Sequence, residues 1–201
     1  MLDLFSDNQN SNLLPFDGNA IYHGVIIPTE EANRYYNELY NHISWRHDEI
    51  FIFGKHHVTN RKVAFYGNKS YSYVYSNITK KALPWVYPLM ELKTIVEHKT
   101  GAFYNACLLN FYHNGTESMG WHSDDEVELQ EGASIASLSF GAERNFSFKH
   151  KLTNAQFSLI VGHGSLLEMK EDTQKHWLHR LPPSKLITRP RINLTFRKFL
   201  D

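Results

Sequence analysis

The chain has 201 residues, 42% of them hydrophobic and 21% charged, which suits one domain with its own core and argues against general disorder. Its 21 basic and 21 acidic side chains cancel, so bulk charge does not hold it on a nucleic acid, although a local basic face remains compatible with binding. Cys107 is the only cysteine, which excludes an intrachain disulfide and a cysteine-ligated zinc site. Neither a secretory signal pattern nor a membrane-length apolar run is present, so we expect an intracellular protein.

The first part of the chain predicts a loose tail followed by a helix. Residues 1–20 are rich in Asn and Ser, so we expect a tail ahead of one domain that spans 21–201. Thr29 is placed to cap a helix whose first turn is acidic. Apolar side chains then recur at helical spacing, which predicts an amphipathic helix over 30–45.

A second helix and a set of closely spaced strands complete the chain. Pro88 suits the first turn, and Gly101 the end, of a helix over 88–99. The segment 50–76 is aromatic and basic, and we interpret it as hairpins outside the main core. From residue 103 to 201 the pattern predicts the strand-rich core of an α+β protein, a barrel or a sandwich, with strands at 103–112, 135–140, 145–150, 157–161, 165–169 and 191–199.

The strongest local signal for chemistry is WHSDD, residues 121–125. If this stretch is extended, His122 and Asp124 point to the same side, because side chains alternate along a strand. A third ligand would come from His176 or His179. Two imidazoles and one carboxylate that leave positions open on a metal ion suit a non-haem Fe(II) oxygenase. The alternative is a solvated acidic loop that binds no metal.

The C-terminal run 191–197 alternates completely between apolar and polar side chains. One face is apolar, and the other consists of Arg191, Asn193, Thr195 and Arg197. Arginines that flank Asn and Thr make a good site for a small dicarboxylate, because the guanidinium fork binds carboxylates in a bidentate manner. A solvated sheet face is the alternative. Leu108, Asn110 and Tyr112 alternate in the same way, so we expect Asn110 and Tyr112 to face the same interior.

Taken together, these motifs resemble the AlkB family of Fe(II)- and 2-oxoglutarate-dependent nucleic-acid dealkylases. The pieces that carry the resemblance are His122-x-Asp124, His179 within HWLHRLP, and RINLTFRK. The chain is most similar to the branch that contains AlkB homologue two, which LLNFYHNG, GWHSDDEVEL, IASLSFGAERNFSFKHK and HGSLLEM match in order and spacing. The resemblance runs from about residue 50 to the C-terminus and leaves 1–20 without a clear match.

The resemblance implies a fold, a metal and a co-substrate. The family fold is a double-stranded β-helix, or jelly-roll, with N-terminal helices and a nucleotide-recognition hairpin lid. The implied catalytic ligands of Fe(II) are His122, Asp124 and His179. The implied 2-oxoglutarate site consists of Asn110, Tyr112, Arg191, Asn193, Thr195 and Arg197, in which Arg191 and Tyr112 hold the far carboxylate and Arg197 lies near Asp124.

The implied activity is oxidative dealkylation repair of N-alkylated bases, of the 1-methyladenine and 3-methylcytosine type, in DNA. It would use Fe(II), O2 and 2-oxoglutarate and release succinate, CO2 and formaldehyde. Demethylation of RNA, hydroxylation of another molecule on the same scaffold, and nucleic-acid binding with a silent iron site are the alternatives. The expected partner is alkylated DNA, preferably duplex, bound by a monomer that does not associate with membranes.

A hairpin tip is implied to enter the nucleic acid. Phe53, Gly54 and Lys55 match an apolar finger that wedges into the gap left by a flipped base. Without the resemblance, a core strand would be the simpler interpretation of this segment. Lys55 at the end of the finger, and Arg61 and Lys62 after it, are expected to contact phosphates.

The base itself is implied to be held by aromatic and acidic side chains. Tyr73 and Tyr75 match aromatic positions of the branch, which has a stacking Phe at the position of Tyr75, and His122 would form the opposite wall. A tyrosine-rich exposed sheet is the alternative. Asp125 and Glu126 match acidic positions of the base pocket, where carboxylates accept hydrogen bonds from exocyclic amines or favour a cationic lesion.

Overall fold

Two antiparallel sheets packed face to face form the centre of the molecule. The computed structural model describes residues 11–52, 55–75 and 78–201. The larger sheet has eight strands, the smaller has four, and apolar side chains from both meet between them. This arrangement confirms the predicted α+β fold with a jelly-roll core. Within the described residues, no helix is both long and apolar enough to cross a bilayer.

The larger sheet places the C-terminal strand near its middle. In spatial order its strands are β1 (Asn19–Val25), β12 (Ser165–Lys170), β9 (Ile135–Gly141), β14 (Arg191–Arg197), β7 (Ala106–Tyr112), β3 (Lys55–Gly67) and β2 (Arg46–Ile52), and β6 (Leu83–Pro84) pairs with β3. β14 is therefore hydrogen-bonded on both sides, to β9 and to β7.

The smaller sheet lies opposite, and a separate hairpin completes the strands. The order in the smaller sheet is β11 (Gln156–Val161), β10 (Arg144–His150), β13 (Trp177–Leu181) and β8 (Met119–His122). The hairpin consists of β4 (Ser72–Tyr75) and β5 (Ile78–Lys81), which pair only with each other among the described strands.

Both predicted helices are present. The helices are α1 (Thr29–His42), α2 (Tyr87–Thr100) and the single-turn α3 (Thr173–His176). The prediction of Thr29 as the N-cap was wrong, because the extended backbone of Pro28 precedes the helix and no side chain caps it. Gly101 directly follows the last residue of α2, and its φ of 70° is the left-handed conformation that favours glycine.

The helices cover the outer face of the larger sheet and thereby decide which side chains face inward. Leu39 of α1 and Leu92 of α2 belong to one buried cluster with the apolar side chains of β14, which are Ile192, Leu194 and Phe196. Since neighbouring side chains of a strand point to opposite faces, the polar side chains of β14 point between the two sheets. The alternation predicted for this strand is therefore confirmed.

The prediction of a loose tail up to residue 20 was wrong for residues 11–20, and residues 1–10 lie outside the described part of the chain. Leu14 is buried between the sheets, and β1 begins at Asn19. The carbonyl of Phe16 accepts a hydrogen bond of 3.0 Å from the Trp177 indole. Polar composition suggested a tail, but a few apolar side chains at this end have partners that are distant in sequence.

The prediction of hairpins outside the core was wrong for part of the segment 50–76. β3 is long, and its second half joins the larger sheet, where Ala64 pairs with Leu109 of β7. Phe65 and Tyr66 next to it are buried on opposite faces of the sheet, in two different apolar clusters. A strand covered on both faces loses the polar–apolar alternation, so periodicity did not identify it.

Candidate active site

Three side chains with metal-binding atoms converge between the sheets. His122 at the end of β8 pairs across the sheet with His179 of β13, and Asp124 follows His122 by two residues. The Asp124 Oδ1 atom lies 3.7 Å from His122 Nε2 and 3.9 Å from His179 Nε2. One ligand atom from each residue lies within 4.8 Å of the others, which is close enough to share one ion. The structure thus brings His179, and not His176, to the predicted pair.

The imidazoles are in the form that a metal ion needs. His122 Nδ1 donates its proton to the carbonyl of Gly120 at 2.9 Å, which leaves the Nε2 lone pair directed at the cluster. Burial, reinforced by the nearby His122, lowers the pKa of His179 to about 3, so this ring is neutral at physiological pH. Phe146 stacks on the His179 ring with centroids 5.5 Å apart and restricts its orientation.

Asp124 is held in place from two sides. Arg197 Nη2 lies 2.8 Å from Asp124 Oδ1, and the backbone N–H of Asp124 donates to Gln174 Oε1 at 2.9 Å. Burial alone would raise the pKa of Asp124, but Arg197 and the two imidazoles outweigh it and lower that pKa. The carboxylate is therefore ionised, as a metal ligand must be.

A second cluster of possible ligands is formed by Asp17, His150 and His176. Here the backbone N–H of Thr153 donates to His150 Nδ1 at 3.1 Å. The neutral ring consequently carries its proton on Nε2, which faces Asp17 Oδ2 at 3.4 Å. His150 therefore lacks the free lone pair that His122 offers, so this cluster fits an anchor for the N-terminal segment better than a metal site.

Arg191 is a buried cation with no carboxylate partner among the residues that the structure describes. Its side chain lies on the inner face of β14 and is 2% exposed, and Nη2 donates to Ser139 Oγ at 2.9 Å. Its Nε has no hydrogen-bond partner, and no carboxylate among the described residues lies within 4.0 Å. Burial lowers the pKa of Arg191 to about 10, so it is still charged at neutral pH. A buried charge of this kind calls for an anion from outside the chain.

The residues around Arg191 complete a polar cavity next to the three converging side chains. Cross-strand pairing sets Tyr112 beside Arg191 and Asn110 beside Asn193. The guanidinium carbon of Arg191 lies 5.6 Å from the Tyr112 ring centre, and Asn110 Oδ1 is buried without a hydrogen-bond partner. All the residues predicted for the co-substrate line this one cavity together with the metal-binding side chains, namely Asn110, Tyr112, Arg191, Asn193, Thr195 and Arg197. The donor set fits a divalent ion, and the cavity fits a small dicarboxylate.

The two acidic residues after Asp124 separate in space. Glu126 lines a second cavity next to the metal-binding side chains and accepts a hydrogen bond of 3.2 Å from Arg197. Burial raises the pKa of Glu126. Asp125 is exposed and lines a surface groove outside that cavity. Of the two residues predicted for the base pocket, Glu126 therefore lines the cavity next to the metal-binding side chains and Asp125 does not.

Several of the residues predicted to contact nucleic acid fall, wholly or in their side chains, outside what the structure describes. Phe53 and Gly54 are outside the described residues, as are the side chains of Tyr73 and Tyr75, whose backbones form β4. Lys55 is exposed at the start of β3.

The expectation that Arg61 contacts phosphates was wrong. Its guanidinium is buried, donates to the carboxylate of Asp48, and lies with Nη1 3.3 Å from Met119 Sδ. Lys62, next to it, is half-buried. Arg61 and Lys62 differ in burial because neighbouring side chains of a strand point to opposite faces of the sheet.

Several residues of the cavity were not identified from the sequence. Ser137 and Ser139 of β9 point inward and accept hydrogen bonds from Asn193 and Arg191. Their spacing of two residues in IASLSF was a usable signal, since it matches the polar alternation of β14. Gln174 supports Asp124 from a single helical turn, and no local pattern marks it.

Comparison with known proteins agrees with this geometry. The family model of the 2OG-Fe(II) oxygenase superfamily matches residues 18–197. The human DNA oxidative demethylase ALKBH2 is 38% identical over 187 residues, which cover 88% of this chain and 72% of the relative. The human alpha-ketoglutarate-dependent dioxygenase alkB homolog 3 is 35% identical over 188 residues, or 89% of this chain and 65% of the relative.

A solved structure shares the fold. OsALKBH1 has a TM-score of 0.64 to this chain at 13% sequence identity, and the match covers 92% of this chain and 99% of the other. An identity that low shows the fold alone, whereas the family model spans both the metal-binding cluster and the arginine cavity. The chain therefore belongs to the AlkB family of the 2OG-Fe(II) oxygenase superfamily, whose enzymes use Fe(II), 2-oxoglutarate and O2.

Proposed function

We propose that this protein is an oxidative DNA demethylase that removes alkyl groups from damaged bases. The observation that carries the proposal is one cavity that holds both a His–Asp–His set of side chains and a buried arginine with no carboxylate of the described residues within 4.0 Å. The name of the human relative, a DNA oxidative demethylase, supports methylated DNA as the substrate class. A ferrous ion bound there would supply the oxidation in which O2 and 2-oxoglutarate give succinate and CO2 while the N-methyl carbon leaves as formaldehyde.

The chain's own residues would bind and orient the reactants. His122, Asp124 and His179 would hold the ion on one face, with Arg197 keeping the carboxylate of Asp124 ionised and oriented. The Arg191 guanidinium would bind the far carboxylate of 2-oxoglutarate, whose negative charge satisfies the buried cation.

The proposed co-substrate cavity has three further polar members. Asn110 would donate its amide to the metal-binding end of 2-oxoglutarate, while Asn193 and Thr195 line the same wall. No side chain needs to act as a nucleophile in this scheme. The role of the protein is to position the reactants and to exclude water from them.

On the nucleic-acid side, we place the flipped base between the metal ligands and the hairpins. Glu126 and His122 border that space, and Tyr73 and Tyr75 are proposed stacking partners. The finger Phe53, Gly54 and Lys55 is proposed to fill the vacated stack, which favours duplex over single-stranded substrates. We propose that the chain acts as a monomer and inside the cell, where DNA is.

Methylated oligonucleotides test the proposed function directly. With Fe(II), ascorbate and 2-oxoglutarate, DNA that contains 1-methyladenine or 3-methylcytosine should yield formaldehyde and succinate in equal amounts, faster for the duplex than for the single strand. Equal or higher rates on matched methylated RNA would identify an RNA demethylase instead. Binding of methylated DNA without formaldehyde or succinate above the background without oligonucleotide would identify a silent binding module and overturn the proposal.

Gln174 offers a test of the proposed metal centre. Replacement by alanine removes the acceptor for the Asp124 N–H and loosens the carboxylate, so metal affinity should fall by about 10- to 100-fold. Titration with Mn(II) in the presence of 2-oxoglutarate, followed by electron paramagnetic resonance, measures this without turnover. Gln156, exposed on β11, provides the matched control Gln156→Ala. An unchanged Mn(II) affinity for Gln174→Ala would contradict the role given to this hydrogen bond.

A further inference from the structure

A cavity beside the metal ligands has charged side chains of the hairpin region as its outer wall. Its inner side is formed by the cluster described above, including His122, Asp124 and Glu126. Its outer side is formed by strands β2, β3 and β5, through Asp48, Arg61 and Lys80 respectively. A base brought to the metal centre would occupy this space, so these three side chains would lie against the lesion.

The three side chains of the outer wall form one buried ionic group. The carboxylate of Asp48 is 1% exposed and accepts hydrogen bonds from both Arg61 and Lys80, one on each oxygen. The Lys80 side chain is 13% exposed and the Arg61 side chain 7%. Of these three side chains, two are basic and one is acidic, so together they contribute one formal positive charge.

We infer that Lys80 determines which charge class of lesion this site accepts, an inference that rests on the proposed function. Lesions such as 1-methyladenine and 3-methylcytosine are cations, whereas 3-methylthymine is a neutral base with its methyl group at the same ring position as 3-methylcytosine. The ammonium group of Lys80 disfavours a cation beside it and leaves a neutral base unaffected. Lys80 thus lowers the preference of the site for cationic lesions over neutral ones.

The charges around the cavity support this assignment. Among the described residues that line it, the cations Arg61, Lys80 and Arg197 balance the anions Asp48, Asp124 and Glu126. A ferrous ion and a dianionic co-substrate would add equal and opposite charges, so the balance holds in the loaded site. Removing the charge of Lys80 leaves one negative charge in excess, and a site shielded from water screens that charge weakly.

Lys80 is also the member of the group that can be changed with the least disturbance. When Lys80 is replaced, the Asp48 carboxylate keeps its bond to Arg61, so no buried anion is left unpaired. Methionine at this position retains an unbranched apolar chain of similar length. Lys81, the next residue on β5, is exposed and does not line the cavity, so Lys81→Met is the matched control.

The experiment compares two lesions in single-stranded DNA of the same sequence, 3-methylcytosine and 3-methylthymine. In Lys80→Met, kcat/KM for 3-methylcytosine relative to 3-methylthymine should rise roughly tenfold over the wild-type ratio, the order of magnitude for removing one unit charge from a partly screened site. Lys80→Arg should restore the wild-type ratio, and Lys81→Met should leave it unchanged. Melting curves of the variants confirm that each is folded.

A role limited to fastening the hairpin would give a different result. In that case Lys80→Met would slow both lesions equally and leave the ratio within about twofold of wild type, which would overturn the inference. The same ratio can be measured as Kd values with Mn(II) and 2-oxoglutarate under nitrogen. This second measurement tests the two proposals separately. If the wild-type protein demethylates neither lesion, the proposed function is refuted, and the ratio of the two Kd values still tests the inference about Lys80.

Discussion

Replacing His179 by alanine is expected to abolish coupled turnover and to weaken metal binding. The imidazole lies opposite His122 in the sheet and offers one of the three converging ligand atoms. Its loss leaves an imidazole and a carboxylate, too few protein ligands to hold an ion in a site of this type. Mn(II) affinity should fall by more than about 100-fold, which exceeds the loss expected from replacing a residue that only hydrogen-bonds to a metal ligand. Formaldehyde release should fall below detection.

The matched control for this variant is His176→Ala, three residues earlier. The two histidines were equal candidates in the sequence, but the His176 ring stacks on His150 and lies in the separate cluster near Asp17. We expect His176→Ala to retain Mn(II) binding and most of the activity. Loss of metal binding in His176→Ala with retention in His179→Ala would refute the proposed ligand set.

Replacing Arg191 by methionine is expected to remove productive binding of 2-oxoglutarate. The guanidinium is the buried cation proposed to bind the far carboxylate, and truncating one partner of a buried charge pair costs about 2–5 kcal/mol. KM for 2-oxoglutarate should therefore rise by roughly 30-fold to over 1,000-fold. Mn(II) binding measured without the co-substrate should stay near the wild-type value, since Arg191 is not among the three converging ligand residues.

The same substitution should stabilise the ligand-free protein. Burial lowers the pKa of Arg191 to about 10, which shows that the fold disfavours this charge when no anion is bound. Methionine removes that penalty, and each kcal/mol gained raises the melting temperature of a chain this long by about 2–4 °C. Differential scanning calorimetry of the ligand-free proteins measures the change.

The variant Arg191→Lys distinguishes the effect of the buried positive charge from that of the planar guanidinium group. Lys keeps a buried cation but lacks the planar fork, so Arg191→Lys should raise KM without raising the melting temperature. An unchanged KM in Arg191→Met, or a lower melting temperature in the ligand-free form, would contradict the assignment of this residue to an anion from outside the chain.

Local patterns predicted much of the fold and the composition of the site. Helical spacing located α1 and α2 to within a few residues, and alternation correctly assigned the two faces of β14. The pair His122 and Asp124 was found because two residues along an extended chain return to the same side. Each of these inferences needed only residues that are close in sequence.

Other features depended on partners far along the chain. The segment 11–20 was predicted to be a tail, yet it packs against residues more than 140 positions away, as the bond from Trp177 to Phe16 shows. Arg61 was assigned to phosphates by its charge, but the fold turns it toward Asp48 and Met119. Composition does not contain these contacts, because they arise only when distant strands meet.

By itself the sequence determined that His122 and Asp124 can lie on one side of an extended chain and that β14 has one apolar and one polar face. Only the tertiary structure showed that His179 and not His176 lies beside His122 and Asp124, that Arg191 is buried with no carboxylate of the described residues within 4.0 Å, and that Lys80 lines a cavity next to the metal-binding side chains. The physical reason is that periodicity is a local property of the backbone. Sheet register and burial, in contrast, are set by packing between residues that are distant in sequence.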